Sequence, residues 1–138
     1  MKKGTRRGVL LLASMLAMLV LVGGVALAAN LIGNNGSNII NGTANSDKIR
    51  GLGGNDRLNG LGGADEMWGD SGNDTLLDGQ TVEKSTDRLY GGKGSDSFNT
   101  DNKPNHKDIV YCGPGFDTWI ADPNDRYIGG RCERVRVN

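Results

Sequence analysis

A repeat of nine residues limits the possible folds of this chain more than any other feature of its sequence. Four consecutive nines begin at Gly42, Gly51, Gly60 and Gly69, and each has an aspartate at its sixth position and an apolar residue at its eighth. A short period that continues without a slip is typical of solenoids, in which each repeat packs only against its neighbours. The sequence therefore predicts an all-β coil of stacked repeats.

Each nine is expected to form a turn followed by a short strand. Its first six residues need glycine where the backbone turns with positive φ, and its last three are extended. Side chains alternate between the two faces of a strand, so the apolar residue at the eighth position points inward. The predicted core is therefore a stack of Ile49, Leu58, Met67 and Leu76.

The acidic side chains are expected to form two columns. If two nines make one coil, residues eighteen apart lie on adjacent strands about 4.8 Å apart. Asp47 then lies over Asp65, and Asp56 lies over Asp74. Stacked carboxylates at this distance repel one another, so a bound cation is needed to make the arrangement favourable.

Calcium is the cation that fits these turns. It takes six to eight oxygen ligands in irregular geometry, whereas magnesium demands a stricter octahedron. Zinc favours cysteine and histidine, which the four regular turns lack. Gly-Asn-Asp turns without any metal are also common loop chemistry, and that alternative stays open.

The consecutive nines follow the pattern G-G-x-G-x-D-x-U-x, where U is apolar, and they resemble the hemolysin-type (repeats-in-toxin) calcium-binding family of secreted bacterial proteins. The resemblance implies a right-handed parallel β-roll with several Ca²⁺ ions between stacked turns. It extends over residues 31–137, because residues 108–136 resemble the terminal module of such proteins. The predicted metal-binding residues are Asp47, Gly51, Gly53, Asp56, Gly60, Gly62, Asp65, Gly69, Asp74, Gly91, Asp96 and Asp117.

Less regular repeats flank the four consecutive ones. An early nine starts at Gly33 with Asn38 in place of the acid, and further nines start at Gly91 and Cys112. A degraded nine starts at Val82 after an insertion at residues 78–81, and a second insertion lies within residues 100–107. Insertions in solenoids map to outer loops. The total of about nine half-coils predicts four to five full coils.

The repeat phase also predicts which turns face one another. The main sites are expected between the turns of Asp47 and Asp65, Asp56 and Asp74, and Asp74 and Asp96. Further sites are expected between the turns of Asn38 and Asp56 and of Asp96 and Asp117. No metal is expected at the turns before Asp87 and Asp108, because neither contains glycine.

The N-terminus has the features of a secretory signal peptide. Residues 1–7 are basic, residues 9–27 are apolar, and Ala-Leu-Ala at 26–28 is a cleavage site. This predicts a signal peptide at residues 1–28, an extracellular domain at residues 29–138 and a terminal cap at residues 112–138. An uncleaved membrane anchor is the alternative. The mature part has sixteen acidic and twelve basic residues, a balance that does not favour nucleic acid.

Cys112 and Cys132 both lie in the part expected to be secreted, where oxidation favours a disulfide. The bond would clamp residues 131–138 onto the last coil and cover an open sheet edge. Asp122 to Asp125 is interpreted as a turn, since Tyr127 stands where a calcium-binding EF-hand loop needs glycine.

No enzyme is predicted. The single histidine, His106, lies in an insertion, and the chain contains no H-E-x-x-H motif. With 23 glycines and 5% aromatic residues, the chain has few large side chains to offset the entropy of ordering its backbone. We therefore expect a monomeric, secreted calcium-binding protein that folds when it binds Ca²⁺.

Two alternatives remain open from the sequence. One is an extracellular adhesion or polysaccharide-binding solenoid in which calcium is purely structural, with a cell-surface polysaccharide or protein as partner. The other is a remnant secretion module of a lost enzyme. Trp68 stands at an outward position, either as a contact surface for a partner or sugar or as a plain surface aromatic.

Overall fold

The computed structural model describes residues 27–79, 84–101 and 106–137, and these residues form two parallel sheets. Sheet A contains β1 (Asn30–Ile32), β3 (Lys48–Gly53), β5 (Glu66–Ser71), β7 (Arg88–Lys93), β9 (Ile109–Tyr111) and β11 (Arg126–Tyr127). Sheet B contains β2 (Ile39–Asn41), β4 (Arg57–Asn59), β6 (Thr75–Leu77), β8 (Ser97–Asn99), β10 (Asp117–Ala121) and β12 (Cys132–Val137).

The chain alternates between the two sheets, because every odd-numbered strand lies in sheet A and every even-numbered strand in sheet B. The strands wind through about five turns of a parallel β-solenoid. Across the described residues there is no helix. The expectation of an all-β solenoid with two nines per coil is confirmed.

The register between strands follows the sequence period. Ile49 of β3 pairs with Met67 of β5, and Leu58 of β4 pairs with Leu76 of β6, each eighteen residues apart. The insertions lengthen the next step without breaking the stack, since Met67 pairs with Leu89. The predicted alignment of Asp47 with Asp65 and of Asp56 with Asp74 follows from the same register.

The core lies between the two sheets and consists of the eighth-position side chains. Ile49, Leu58, Met67 and Leu76 are fully buried, as predicted. The same column positions farther along the coil bury Leu89, Phe98, Val110 and Trp119. Burying one such side chain contributes roughly 1.5–3 kcal/mol, so the core is a one-dimensional stack that grows by a fixed amount with each coil.

Glycine is required where neighbouring turns approach closely. Gly72 has a φ of 134°, and a Cβ placed on it would overlap the carbonyl oxygen of Gly54 in the preceding coil. A left-handed backbone and a missing side chain are therefore both needed at this point. The close approach brings the backbone carbonyls of successive turns near one another.

The positions of the two insertions differ in part from the sequence interpretation. The sequence predicts an outer loop for Asp78, but this residue is only 3% exposed. Its N–H donates to the carbonyl of Asn99, and the N–H of Gly60 donates to the carbonyl of Leu77. Asp78 therefore occupies the first position of a stacked turn, directly below Gly60, and the assignment was wrong. Thr100 is likewise fully buried and takes the same position one coil later.

The disulfide predicted near the C-terminal end of the solenoid is present, and the role of residues 112–138 as a cap stays a prediction. Cys112 and Cys132 form a disulfide with a Cα–Cα distance of 5.8 Å. Cys132 begins β12, the strand at the edge of sheet B, and aligns with Asp117 of β10. Asp122 and Asp125 enclose a tight turn, as the sequence suggested.

The predicted signal peptide lies outside the described residues except for its last two, so it stays a prediction. Within the described ranges, no helix has the length and apolar character needed to cross a membrane.

Candidate metal centre

The turn aspartates form two columns, one beside each sheet. Column A contains Asp47, Asp65, Asp87, Asp108 and Asp125, and column B contains Asp56, Asp74, Asp96 and Asp117. Apart from Asp125, which is partly buried, every member is at most 2% exposed. Carboxylates are seldom buried to this extent unless they are paired or bind a metal.

A ladder of hydrogen bonds runs down each column. In column B, the backbone N–H of Asp56 donates to Oδ1 of Asp74 at 2.8 Å, and the N–H of Asp74 donates to Oδ1 of Asp96 at 2.9 Å. In column A, the N–H of Asp47 donates to Oδ1 of Asp65 at 2.7 Å. The backbone N–H of each of these aspartates is therefore satisfied by the carboxylate of the coil that follows. The turn facings predicted from the repeat phase are confirmed.

Asn38 fits this scheme at the N-terminal end. Its N–H donates to Oδ1 of Asp56 at 2.7 Å, while its own Oδ1 accepts from the N–H of Asn34 at 2.8 Å. At the other end, the N–H of Asp96 donates to Oδ1 of Asp117 at 2.9 Å. Both of these flanking turn pairs therefore continue column B.

The second oxygen of each column B carboxylate has a different environment. Oδ2 of Asp56, Asp74, Asp96 and Asp117 is buried and has no hydrogen-bond partner. An unsatisfied polar atom of this kind costs about 1–3 kcal/mol, more when the group is charged. The turns therefore contain acceptors that the protein itself does not satisfy.

The glycines at the first position make room for these oxygens. A Cβ on Gly51 would overlap Oδ2 of Asp56, and a Cβ on Gly69 would overlap Oδ2 of Asp74. In the same way, a Cβ on Gly91 would overlap Oδ2 of Asp96, and a Cβ on Gly60 would overlap Oδ2 of Asp65. The first-position glycines predicted as site residues thus lie beside the carboxylates.

The third-position glycines do not share this contact. The N–H of Gly53 donates to the carbonyl of Asn34 at 3.3 Å, and the N–H of Gly62 donates to the carbonyl of Thr43 at 3.1 Å. Their observed role is to hold successive coils together. Their predicted part in metal binding stays a prediction.

A cluster of three carboxylates lies at turns for which the sequence predicts no metal. One oxygen from each of Asp78, Asp87 and Asp108 lies within 4.8 Å of the other two, and all three side chains are buried. The turns before Asp87 and Asp108 lack glycine, but Asp78 supplies an extra acid at the first position. The sequence signal for this cluster was Asp78 itself, one nine after Gly69 in the unbroken phase.

Burial changes the acidity of the column carboxylates. It raises the pKa of Asp96 to about 6, and the charges of Asp74 and Asp117 act in the same direction, while the hydrogen bond from the Asp74 N–H opposes them. Burial also raises the pKa of Asp74 and of Asp117. Without a cation, these three carboxylates are therefore easier to protonate than a solvent-exposed aspartate.

The geometry and the sequence period agree with a known repeat. A family model described as RTX calcium-binding nonapeptide repeat (4 copies) matches residues 32–66, 41–76 and 84–102. These segments are RTX calcium-binding nonapeptide repeats. The RTX repeats include the turns of Asp56, Asp65, Asp74 and Asp96. Among the curated proteins compared with the chain, none is similar enough to count as a relative.

The donor atoms of the RTX turns suit calcium. The columns present buried carboxylate oxygens, with backbone carbonyls of neighbouring turns close by, as at Gly69, where a Cβ would overlap the carbonyl oxygen of Gly91. Neither column contains a nitrogen or sulfur ligand. A hard, oxygen-binding cation that tolerates irregular geometry is the metal that matches this set.

Proposed function

We propose that this protein is a secreted calcium-binding module whose β-solenoid folds when Ca²⁺ binds between the stacked turns. One observation carries the proposal, namely the row of buried column B carboxylates whose Oδ2 atoms lack hydrogen-bond partners. A divalent cation would satisfy those oxygens and neutralise the repulsion between successive acids.

The residues that would hold calcium follow from the columns. Asp56, Asp74, Asp96 and Asp117 would supply side-chain oxygens in column B, and Asp47 and Asp65 in column A. The first-position glycines Gly51, Gly60, Gly69 and Gly91 would leave space for the ions beside those carboxylates.

Column A would take a further ion at Asp78, Asp87 and Asp108. Three buried carboxylate oxygens within 4.8 Å of one another bring negative charge together in a site that excludes water. The expectation of no metal at these turns rested on their lack of glycine. The convergence of three acids is the observation that favours an ion there.

Calcium would act on folding through linkage. An ion that binds the coiled chain and not the open chain stabilises the coil by about 2.7 kcal/mol per site at a hundred times its dissociation constant. Several sites together would offset much of the entropy of ordering a glycine-rich backbone. Weak sites suffice outside the cell, where extracellular modules commonly bind calcium in the 0.1–1 mM range.

Circular dichroism of the chain, titrated with calcium and separately with magnesium, tests the proposal. We expect the β signal to be weak in chelator, to rise cooperatively with calcium and to respond poorly to magnesium. A β signal that is already complete in chelator would contradict folding coupled to calcium.

A matched pair of variants tests the assignment of the site. Asp56→Asn should raise the calcium midpoint by about tenfold, because one charge-assisted ligand is lost. Glu133→Gln removes the same charge from an exposed position on β12 and should leave the midpoint unchanged. Equal shifts in both variants would indicate a general charge effect and reject the site.

We also propose that the module is not an enzyme and that it works outside the cell. Acids that hold a metal stay ionised and are poor proton carriers, which argues against acid–base catalysis by the columns. The disulfide between Cys112 and Cys132 is typical of an oxidising compartment and supports secretion. Detection of the chain without residues 1–28 in the culture medium would test export and cleavage together.

A further inference from the structure

The outer face of sheet A carries a row of aromatic side chains that calcium binding does not use. Trp68 on β5, Tyr90 on β7 and Tyr111 on β9 occupy the same register position on neighbouring strands. All three are half-buried, whereas the inward residues beside them are fully buried. The row therefore belongs to the surface of the coil.

The rings of this row stack on one another, and the stack ends at Trp68. The Trp68 and Tyr90 ring centroids are 5.5 Å apart and those of Tyr90 and Tyr111 are 4.4 Å apart, with the planes within 8° of parallel in both pairs. Tyr90 thus covers one face of the Trp68 indole. The other face looks toward β3, where Arg50 rather than an aromatic residue is the register partner.

A cavity of about 300 Å³ lies on this open side of the indole. Trp68, Arg50, Lys48, Ile32 and Asn30 line it. The Arg50 guanidinium is bound to Asp70, because Nε and Nη2 donate to that carboxylate, with Nη2 to Oδ1 at 3.0 Å, and the cavity stays open beside it.

The width of the cavity suits one ring. Ile32 and Trp68 stand two strands apart, which corresponds to about 9–10 Å at the usual strand spacing. A ring midway between them would lie about 5 Å from each, which falls between the 4.4 Å and 5.5 Å of the ring pairs already in the row. A ligand ring would continue the stack of Trp68, Tyr90 and Tyr111 by one member.

The rim of the cavity favours a neutral, hydroxyl-rich ring. Lys48 pairs with Glu66 at 3.4 Å, and Arg50 pairs with Asp70, so both cations already have a counter-charge. The rim therefore offers donors and acceptors side by side but no unbalanced positive charge. Sugar hydroxyls both donate and accept hydrogen bonds, whereas a hydrocarbon ring does neither.

From this geometry we propose that the cavity beside Trp68 binds one neutral pyranose unit of a polysaccharide. The C–H face of the sugar packs on the open face of the indole, and Ile32 closes the opposite side. Lys48, Arg50 and Asn30 bond the hydroxyl groups at the rim. The site depends on the outer face of sheet A and not on the acid columns.

Tryptophan fluorescence of the calcium-loaded protein measures this binding. Trp119 is 1% exposed, so a change on adding sugar reports on Trp68. The probes are cellohexaose, maltohexaose, laminarihexaose and mannohexaose as neutral chains and hexagalacturonate as an acidic one. We expect at least one neutral chain to shift the emission in a saturable way and to bind more tightly than hexagalacturonate.

Three variants sharpen the test, with circular dichroism confirming that each remains coiled. By isothermal titration calorimetry, which does not depend on the Trp68 reporter, Trp68→Ala and Ile32→Ala should each weaken sugar binding by about tenfold. Phe116→Ala, which removes an aromatic side chain that is 84% exposed and outside the cavity, should bind like the parent. Asp70→Asn suits the φ of 71° at that position, releases the Arg50 charge and should raise the affinity for hexagalacturonate.

Folded protein that binds none of the four neutral chains would overturn the proposal, as would Trp68→Ala or Ile32→Ala binding that equals the parent's. Tighter binding of hexagalacturonate than of every neutral chain would overturn the assignment to a neutral sugar. A failure of calcium-coupled folding would appear instead as a dichroism signal that does not change with calcium, and is thereby distinguished.

Discussion

At the residue scale, each column B aspartate uses its two oxygens for different purposes. Oδ1 accepts the backbone N–H of the preceding coil, and Oδ2 is buried without a hydrogen-bond partner, beside a glycine in the turns of Asp56, Asp74 and Asp96. The repulsion expected from the sequence is thus partly relieved by the backbone itself. The part that remains unsatisfied is the part available to a cation or a proton.

Protons and calcium should therefore compete for the same oxygens. The pKa of Asp96 in the metal-free coil, about 6, lies above its ordinary value of 3.8. Its protonation stabilises the metal-free coil, a contribution that is fully present below about pH 4 and is lost as the pH rises through about 6. Calcium needs the ionised form, so its affinity should fall as the pH drops below about 6.

Circular dichroism in chelator, recorded between pH 4 and 7.5, should show more β structure at the acidic end, and calcium midpoints should be higher at pH 5 than at pH 7.5. Asp96→Asn should weaken the pH dependence of the metal-free β signal and of the calcium midpoint, since the amide does not titrate. A metal-free signal that grows as the pH rises would contradict the assignment.

The stacked glycines give a second prediction at this scale. Gly72→Ala places a Cβ against the carbonyl of Gly54 and should prevent the neighbouring turns from closing. Gly129→Ala is the matched control, because Gly129 also has a positive φ, 70°, but has no atom within 4 Å of the added Cβ.

We expect Gly129→Ala to lose only about 1–2 kcal/mol, the usual cost of a left-handed backbone for a residue with a Cβ. Gly72→Ala should lose much more and should require far higher calcium to coil, as measured by calcium titration and urea unfolding. Similar losses in the two variants would show that positive φ rather than close approach makes Gly72 necessary.

The repeat pattern predicted most of these residues, because the sixth-position acids and first-position glycines recur in phase. It did not predict the backbone hydrogen bonds to Oδ1, since those depend on the tilt of each carboxylate. It also did not predict the positive φ of Leu52, Leu61 and Asp70 at the second position, where glycine would be expected. There the stacking of neighbouring turns overrides the local preference of the residue.

At the element scale, the irregular turns replace glycine with side chains that take on new roles. Thr100 holds the first position of one such turn, and its Oγ1 donates to Oδ2 of Asp125 at 2.6 Å. The same oxygen accepts from Nε1 of Trp119 at 2.9 Å. This network connects sheet A with sheet B near the C-terminal end of the coil.

Thr100→Val should destabilise the folded protein by about 1–3 kcal/mol, because it keeps the shape of the side chain but removes the hydrogen bonds of Oγ1. Urea unfolding in saturating calcium measures the loss. Thr118→Val, an exposed threonine on β10, is the control and should change stability little. Equal stability of the parent and Thr100→Val would show that the network contributes nothing.

The irregular turns could be predicted from the sequence less accurately than the regular ones. The phase located the strands on both sides of each insertion, because the eighth-position apolar residues resume after it. It did not show where within the insertion the chain leaves the stack, so Asp78 was assigned to an outer loop. The sequence predicts Asp125 only as part of a turn, whereas in the structure its Oδ1 accepts from the N–H of Asp108 and continues column A.

At the scale of the whole molecule, the solenoid is a stack of coils with a disulfide at its C-terminal end. The disulfide joins Cys112, in the first position of the last column B turn, to β12 at the edge of sheet B. Because each coil contacts only its neighbours, the last coil has support on one side alone. The crosslink supplies the restraint that a further coil would otherwise give.

Cys132→Ser should lower the free energy of unfolding by about 3 kcal/mol, the value expected for a crosslink that spans twenty residues. It should also raise the calcium midpoint, since a less stable coil needs more ligand to fold. Urea unfolding and calcium titration measure the two effects. Adding a reductant should reproduce them in the parent and do nothing further to the variant.

The ladder of hydrogen bonds also has a direction. Apart from Asp117 and Asp125 at the column ends, the N–H of each column aspartate donates to the carboxylate of a later coil, so each of these turns depends on an acceptor that is synthesised after it. The ribosome therefore synthesises each turn before it synthesises the carboxylate that accepts the N–H of that turn. The hydrogen bonds of the coil are therefore completed about one coil behind synthesis.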